Sequence, residues 1–418
     1  MYKGLMIILD GLGDRPSPAL DNRTPLQAAH TPVMDALAAA GSCGLVDPLC
    51  AGFPVDTHTG CAALMGVTRR DTLSLARGPI EAAGVGVEMM PGDILLRANF
   101  ATLQDDGCTI IDRRAGRITR GTEELAKVLR DVELGAGVTA SVFPATHHRA
   151  VVRLRGENLS PDISDTDPGS LYPGACLLAS HALDPANEKA CRTAQALNIL
   201  MHKAFIRLKI HPLNEPMALP ANALLTRGAG IASATDNLLN RLGLSTAVIS
   251  GERTLHGLGR LSGFEIIYQP GFTASSDTDL VGKFAAARDA LARHHMVYLH
   301  IKATDIFSHS RDAAGKQVFL QAIDKAMGET ALEGDLVIGI TADHSTDCNT
   351  GNHCGEPVPS LLYAPSCRID NAKQFSELDC IQGGLGRIEA KGFLFSMLDL
   401  MGRLPNYHPF DSTFVDGC

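Results

Sequence analysis

Short apolar runs that stop abruptly at a polar residue recur along the chain: Leu5 to Leu9 before Asp10, Met296 to Ile301 before Lys302, and Val337 to Ile340 before Thr341. Runs this short and this continuous predict strands buried on both faces of a parallel sheet. Between them, helical spacing of apolar residues covers Thr31 to Ala40, Asn187 to Lys209, Asp279 to His294 and Lys316 to Met327. Strands alternating with helices predict an α/β chain built on a doubly wound, mostly parallel sheet. In such sheets ligands collect beyond the carboxyl ends of the strands, where the polar residues that end these runs fall.

The stretch 85–185 breaks the rhythm. It opens on Gly86, Pro91 and Gly92, continues through strand-like pieces at Ile94 to Thr102 and Ala150 to Leu154, and carries the basic segment Asp112-Arg113-Arg114-Ala115-Gly116-Arg117. This predicts a smaller α+β domain over 85–185, inserted into a core made of 1–84 and 186–418.

Composition narrows the function. A net charge of −9, 5% aromatics and no Trp argue against nucleic acid or an anionic membrane as the main partner. Any bound anion must then meet a local basic cluster, as a small phosphorylated acid would. The first apolar run is too short for a leader or a spanning helix, and no stretch reaches eighteen apolar residues. The eleven cysteines are scattered and never spaced Cys-x-x-Cys, so neither a disulfide framework nor a zinc ribbon is indicated. A chain of the reducing cytoplasm is expected.

Acids and imidazoles gather at the expected strand ends: Asp10, then Asp305 and His309, then Asp343 and His344, with His353 soon after. Singly each has an ordinary reading, Asp10-Gly11 as a turn and Asp343-His344 as a solvated loop. Together they bring mixed oxygen and nitrogen donors to one sheet edge, a set that suits Mn²⁺, Zn²⁺ or Co²⁺ better than Ca²⁺. Six such residues suffice for two ions, and two ions roughly 3.5–4 Å apart can clamp the attacking and leaving oxygens of a phosphoryl group.

Five segments, Ile8 to Pro16, Arg77 to Ala82, Asp112 to Arg117, Ser164 to Pro168 and Thr341 to Ser345, give the chain a resemblance to the archaeal-type cofactor-independent phosphoglycerate mutases along nearly its whole length. The resemblance implies an alkaline-phosphatase-like core and an intramolecular phosphotransferase, interconverting 3-phosphoglycerate and 2-phosphoglycerate through a phospho-enzyme. It implies two divalent ions, Mn²⁺ foremost, with Zn²⁺, Co²⁺ or Mg²⁺ as alternatives. One would be held by Asp305, His309 and His353; the other by Asp10, Asp343 and His344 together with the nucleophile. Carried over by position, the nucleophile falls on Thr57, with Thr59 two residues on; capping of the following helix is the competing reading of these hydroxyls. Lys302 would neutralise the phosphoryl oxygens, and Asp112 would handle the glycerate protons. Arg77, Arg113, Arg114, Arg117, His148 and Arg149 would bind the substrate, guanidinium forks being suited to carboxylate and phosphate.

The sequence departs from the family pattern at His58, Cys61, Ala303 and Ser310. These changes leave the six expected ligands intact. They keep open a paralogue acting as phosphatase, mutase or transferase on another phospho- or phosphono-metabolite. A non-catalytic binder is disfavoured, because binding alone needs neither two ions nor a hydroxyl between them.

Overall fold

The computed structural model describes residues 2–169, 174–231, 233–330 and 334–406. The chain divides into two units, one formed by 1–74 with 235–418 and the other by 75–234.

The first unit is organised on an eight-stranded mixed sheet. The strand Lys3–Leu9 lies at its centre, parallel to Met296–Ile301 on one side and to Leu336–Thr341 on the other. All three expected strands are present, and each is buried almost throughout, because alternate residues enter opposite apolar layers. Leu5, Ile7, Leu9, Val297, Leu299 and Ile301 join Phe284, Phe319 and Ile323 from the covering helices. Those helices are Leu280–Leu291 and Ala313–Glu329. The sheet is not wholly parallel, since Val358–Tyr363 runs antiparallel between Leu336–Thr341 and Ser42–Asp47.

The second unit carries a separate six-stranded antiparallel sheet. Its central strand, Ile94–Leu103, pairs with Arg149–Arg155 on one edge and Ala223–Ile231 on the other. The 22-residue helix Glu188–Lys209 buries Ala190, Leu197, Leu200, Ala204 and Leu208 against this sheet, and the Asn187 side chain caps its first turn. The unit is therefore wider than the expected 85–185. The reason is long-range: the strand that completes the sheet comes after the helix, so both belong with the insert rather than with the core.

Candidate active site

Strand ends of the first unit converge on a set of buried carboxylates and imidazoles. Asp10 follows Lys3–Leu9, Asp305 lies in the short helix Ala303–His309 after Met296–Ile301, and Asp343 and His344 follow Leu336–Thr341. Asp10, Asp305 and Asp343 are each fully buried. Two tight groups form, Asp10 with Asp343 and His344, and Asp305 with His344 and His353. His309 reaches the second group through Asp305, with Nε2 3.2 Å from Oδ2.

Backbone geometry makes the convergence possible. Gly11 turns the chain at φ +65°, and a Cβ there would lie 2.7 Å from Thr346 Oγ1 and 2.9 Å from Asp305 Oδ1. Lys316, wholly buried, donates from Nζ to Gly11 O and Asp14 Oδ2, both at 2.8 Å, while Asp14 Oδ1 accepts from Cys348 N. These bonds tie the turn after the first strand to the loop after Thr341. At Gly60 a Cβ would stand 1.9 Å from Asp343 O, so only glycine lets the helix Thr57–Leu64 lie this close to Asp343.

That approach brings Thr57, the first residue of its helix, to the carboxylates. Its Oγ1 lies 3.3 Å from His344 Nε2 and accepts from Lys302 Nζ at 3.2 Å. The helix N-cap is Asp56, and no side-chain capping bond is made there. The Thr57 hydroxyl is thus engaged with the cluster rather than with its helix. Lys302 also donates to Asp10 Oδ1 at 2.9 Å and Asp305 Oδ2 at 2.6 Å.

Charge explains how these groups titrate. Burial opposes the charge on Lys302, but Asp10, Asp305 and Asp343 outweigh it and raise the ammonium's pKa. Burial likewise opposes ionisation of Asp305, yet the hydrogen bond from His309 and the charge of Lys302 hold its carboxyl far below the ordinary range. Asp10 is held down against burial by Lys302 and His300. Asp343 goes the other way, pushed well up by burial and by the neighbouring Asp10. Burial lowers His344 to about 3, so its ring is neutral.

The donors fit divalent metal. His353 Nδ1 lies 2.7 Å from Val55 O and His309 Nδ1 2.8 Å from Gly351 O, and a carbonyl can only accept. His344 Nδ1 is 3.0 Å from Thr346 Oγ1, whose own hydrogen goes to Asp305 Oδ1. In all three rings Nδ1 therefore carries hydrogen, and Nε2 is the atom turned toward the carboxylates, the arrangement that outer-shell partners impose on metal-binding histidines. The neutral His344 ring points its Nε2 lone pair at Asp343 Oδ2, 3.2 Å away, and at Asp10 Oδ1, 3.4 Å away. Asp343 Oδ2 is buried with no hydrogen-bond donor among the described residues. When the Asp343 carboxyl ionises, its lone pairs and that of His344 face each other in a buried space, which a cation between them would relieve.

The second unit holds its own charged cluster. Arg113 is locked to Asp167 by two bonds, Nε to Oδ1 at 2.9 Å and Nη2 to Oδ2 at 2.6 Å. Arg97, which the sequence reading passed over, is buried and lowered to about 10, chiefly by burial against the attraction of Glu81, with Arg149, Arg77 and Arg227 adding repulsion. Arg227, also passed over, is direct register partner of Arg97 and interacts with Asp167, Arg77, Arg113 and Asp165. His148 is lowered to about 4 by burial and by Arg149, Arg114 and Arg97. Five of the six expected binding residues thus share one electrostatic neighbourhood. Arg117 stands exposed on the turn Ala115–Arg117, outside those interactions among the described residues, and Asp112 accepts from Arg114 N at 2.6 Å.

Fold and side chains together define a mixed α/β protein with a buried carboxylate–imidazole centre around a threonine hydroxyl. The family model described as 2,3-bisphosphoglycerate-independent phosphoglycerate mutase matches residues 38–214. A protein of that name from Methanoculleus marisnigri is 39% identical over 411 residues, 97% of this chain and 98% of the relative. One from Archaeoglobus fulgidus is 40% identical, covering 95% and 97%. Among solved structures, a cofactor-independent phosphoglycerate mutase from Thermoplasma acidophilum is 33% identical with a TM-score of 0.71, covering 96% of this chain and all of its own. A protein of Pyrococcus horikoshii reaches 0.82 at 29% identity, covering 97% and 99%. The chain belongs to the archaeal-type 2,3-bisphosphoglycerate-independent phosphoglycerate mutases. No helix among the described residues is long and apolar enough to cross a membrane.

Proposed function

We propose that this chain interconverts 3-phosphoglycerate and 2-phosphoglycerate through a phosphothreonine at Thr57, with two divalent ions held by Asp10, Asp343 and His344 and by Asp305, His309 and His353. The observation that carries this reading is the set of three histidines whose Nε2 atoms face three buried carboxylates beside one hydroxyl. Bound ions would supply Lewis-acid stabilisation of the charge on the transferring phosphoryl group. The Thr57 hydroxyl would release its proton to water once, on loading of the ions, and be regenerated without it at the end of each cycle; Lys302, donating to Thr57 Oγ1, would stabilise the oxygen left and then face the phosphoryl oxygens. Thr57 Oγ1 forms a bond to phosphorus as the bond from phosphorus to the 3-oxygen breaks. Asp112 is assigned the proton that the departing 3-oxygen takes up and the proton that the 2-hydroxyl gives up when it receives the phosphoryl group back. Ten scattered free cysteines among the described residues accord with a cytoplasmic site of action.

³¹P NMR of the Mg²⁺-loaded protein with 3-phosphoglycerate tests the assignment. A growing 2-phosphoglycerate resonance is expected. Inorganic phosphate alone would make the enzyme a phosphatase, and no reaction would turn attention to other phospho-acids.

A mutase must also retain the dephosphorylated acid, and that task is assigned to Arg77, Arg97, Arg113, Arg149 and Arg227. Arg113→Ala and Arg227→Ala are expected to raise inorganic phosphate relative to isomerised product by about tenfold, a charge-assisted hydrogen bond being worth roughly 1.5–3 kcal/mol. Unchanged partitioning in both variants, measured by phosphate release against 2-phosphoglycerate formed, would make the cluster structural.

A further inference from the structure

His300 is the next-to-last residue of the strand Met296–Ile301, is fully buried, and has no place in the ligand set proposed above. Register explains where its ring goes. His300 pairs with Ile8 in parallel, and Asp10, two residues beyond Ile8, follows on the same face. The ring accordingly meets the Asp10 carboxylate, with Nε2 2.9 Å from Oδ2.

The other side of the ring is equally determined. His300 Nδ1 is 3.0 Å from Ser250 Oγ, and that oxygen accepts from Glu252 N at 2.9 Å. Ser250 is fully buried, so its hydroxyl hydrogen has to go to a protein acceptor, and His300 Nδ1 is the one within reach among the described residues. A carboxylate oxygen can only accept. Hydrogen-bond accounting therefore gives a one-way chain: Glu252 N–H to Ser250 Oγ, Ser250 O–H to His300 Nδ1, and His300 Nε2–H to Asp10 Oδ2. The backbone around it is held in turn, by His256 Nε2 on Ser250 O at 2.8 Å and by Lys283 Nζ on His300 O at 3.4 Å.

This chain occupies Oδ2 of Asp10 and leaves Oδ1 as the oxygen that points toward His344 and Lys302. Its tautomer is the opposite of the one the three ligand histidines share, with the hydrogen on Nε2 rather than Nδ1. We infer that His300, set in its tautomer by Ser250, is a positioning residue that fixes the Asp10 carboxylate as a one-oxygen ligand. The inference rests on the metal reading of the Asp10, Asp343 and His344 group. An alternative in which His300 merely fills the core makes a different prediction, since a phenyl ring would then replace it without effect on the ions.

Mn²⁺ titration of the metal-stripped full chain, followed by calorimetry and equilibrium dialysis, separates the two. His300→Phe keeps the ring volume and loses the donor; one of two Mn²⁺ ions should bind about 10–100-fold more weakly, the usual scale for outer-shell partners. His300→Gln can place an amide N–H near the position of Nε2 and should hold affinity within about threefold of the parent. Thermal melting of the stripped proteins reports folding independently. Equal Mn²⁺ affinity in the parent and His300→Phe would overturn the inference, as would a loss in His300→Gln matching that of His300→Phe. Histidine ¹⁵N NMR should show the Nε2–H tautomer for His300, and an Nδ1–H signal would overturn the assigned chain. A parent chain that takes up no ion would remove the metal reading and this inference with it, whereas normal uptake unaffected by His300→Phe removes the inference alone.

Discussion

Thr57→Ala is expected to lower turnover by a factor of about 10³ or more, equivalent to roughly 4 kcal/mol of transition-state stabilisation. The substitution removes the hydroxyl that lies within hydrogen-bond reach of His344 Nε2 and Lys302 Nζ, while Lys302 keeps its bonds to Asp10 and Asp305. Thr57→Ser keeps the oxygen and loses only a methyl group, so activity within about tenfold of the parent is expected. A capping role would give another result, a stability loss of about 1 kcal/mol with turnover per folded molecule intact. Mass spectrometry of acid-quenched, digested enzyme should find phosphate on residue 57. Phosphate on Thr59 would move the nucleophile by two residues, and its absence from both in an active enzyme would favour direct hydrolysis.

Much of this centre was legible in the sequence because its members end apolar runs. Asp10 and Lys302 each interrupt a strand pattern and Asp343 follows closely on another, and the rule that ligands gather at strand ends put them on one edge. His300 escaped for the converse reason, since a lone histidine inside Met296–Ile301 reads as part of a buried strand. Its partner Ser250 is brought near by the parallel pairing of Thr246–Ile249 with Met296–Ile301, which no local pattern encodes. Arg97 and Arg227 were hidden in the same way. Each sits within a mostly apolar strand, and only the pairing of Ile94–Leu103 with Ala223–Ile231 sets one opposite the other. That pairing also accounts for the expected domain boundary falling short. Arg113 was legible as a basic residue of the insert, but its engagement by Asp167 depends on a loop contact that spacing does not reveal.

Asp343→Asn should stabilise the metal-free protein while destroying metal binding at one group and with it turnover. Asp343 is fully buried, its Oδ2 meets no donor among the described residues, and its neighbours are Asp10 and the lone pair of His344. An asparagine oriented with its oxygen in the place of Oδ1 would still accept from Gly11 N, as Asp343 does at 3.2 Å. Its amide nitrogen would then donate toward His344 Nε2 at every pH, as the carboxyl can only while protonated. Relief of one unsatisfied buried group is worth on the order of 1–3 kcal/mol. The pH dependence follows from the direction of the shift. Burial and Asp10 raise the folded carboxyl above its ordinary value, so over that interval the native state binds more protons than the unfolded chain, and parent stability falls as pH rises. The advantage of Asp343→Asn should therefore be absent below about pH 4, where an unfolded aspartate is itself protonated, and should grow as pH increases. With divalent ion present the order should reverse, because ions bound only by the native parent add about 2.7 kcal/mol at a hundred times their dissociation constant. Urea denaturation of both proteins across pH, with chelator and then with Mn²⁺, measures both halves. A metal-free Asp343→Asn protein less stable than its parent at neutral pH would show that the carboxylate is a structural partner and not a charge held in readiness for a cation.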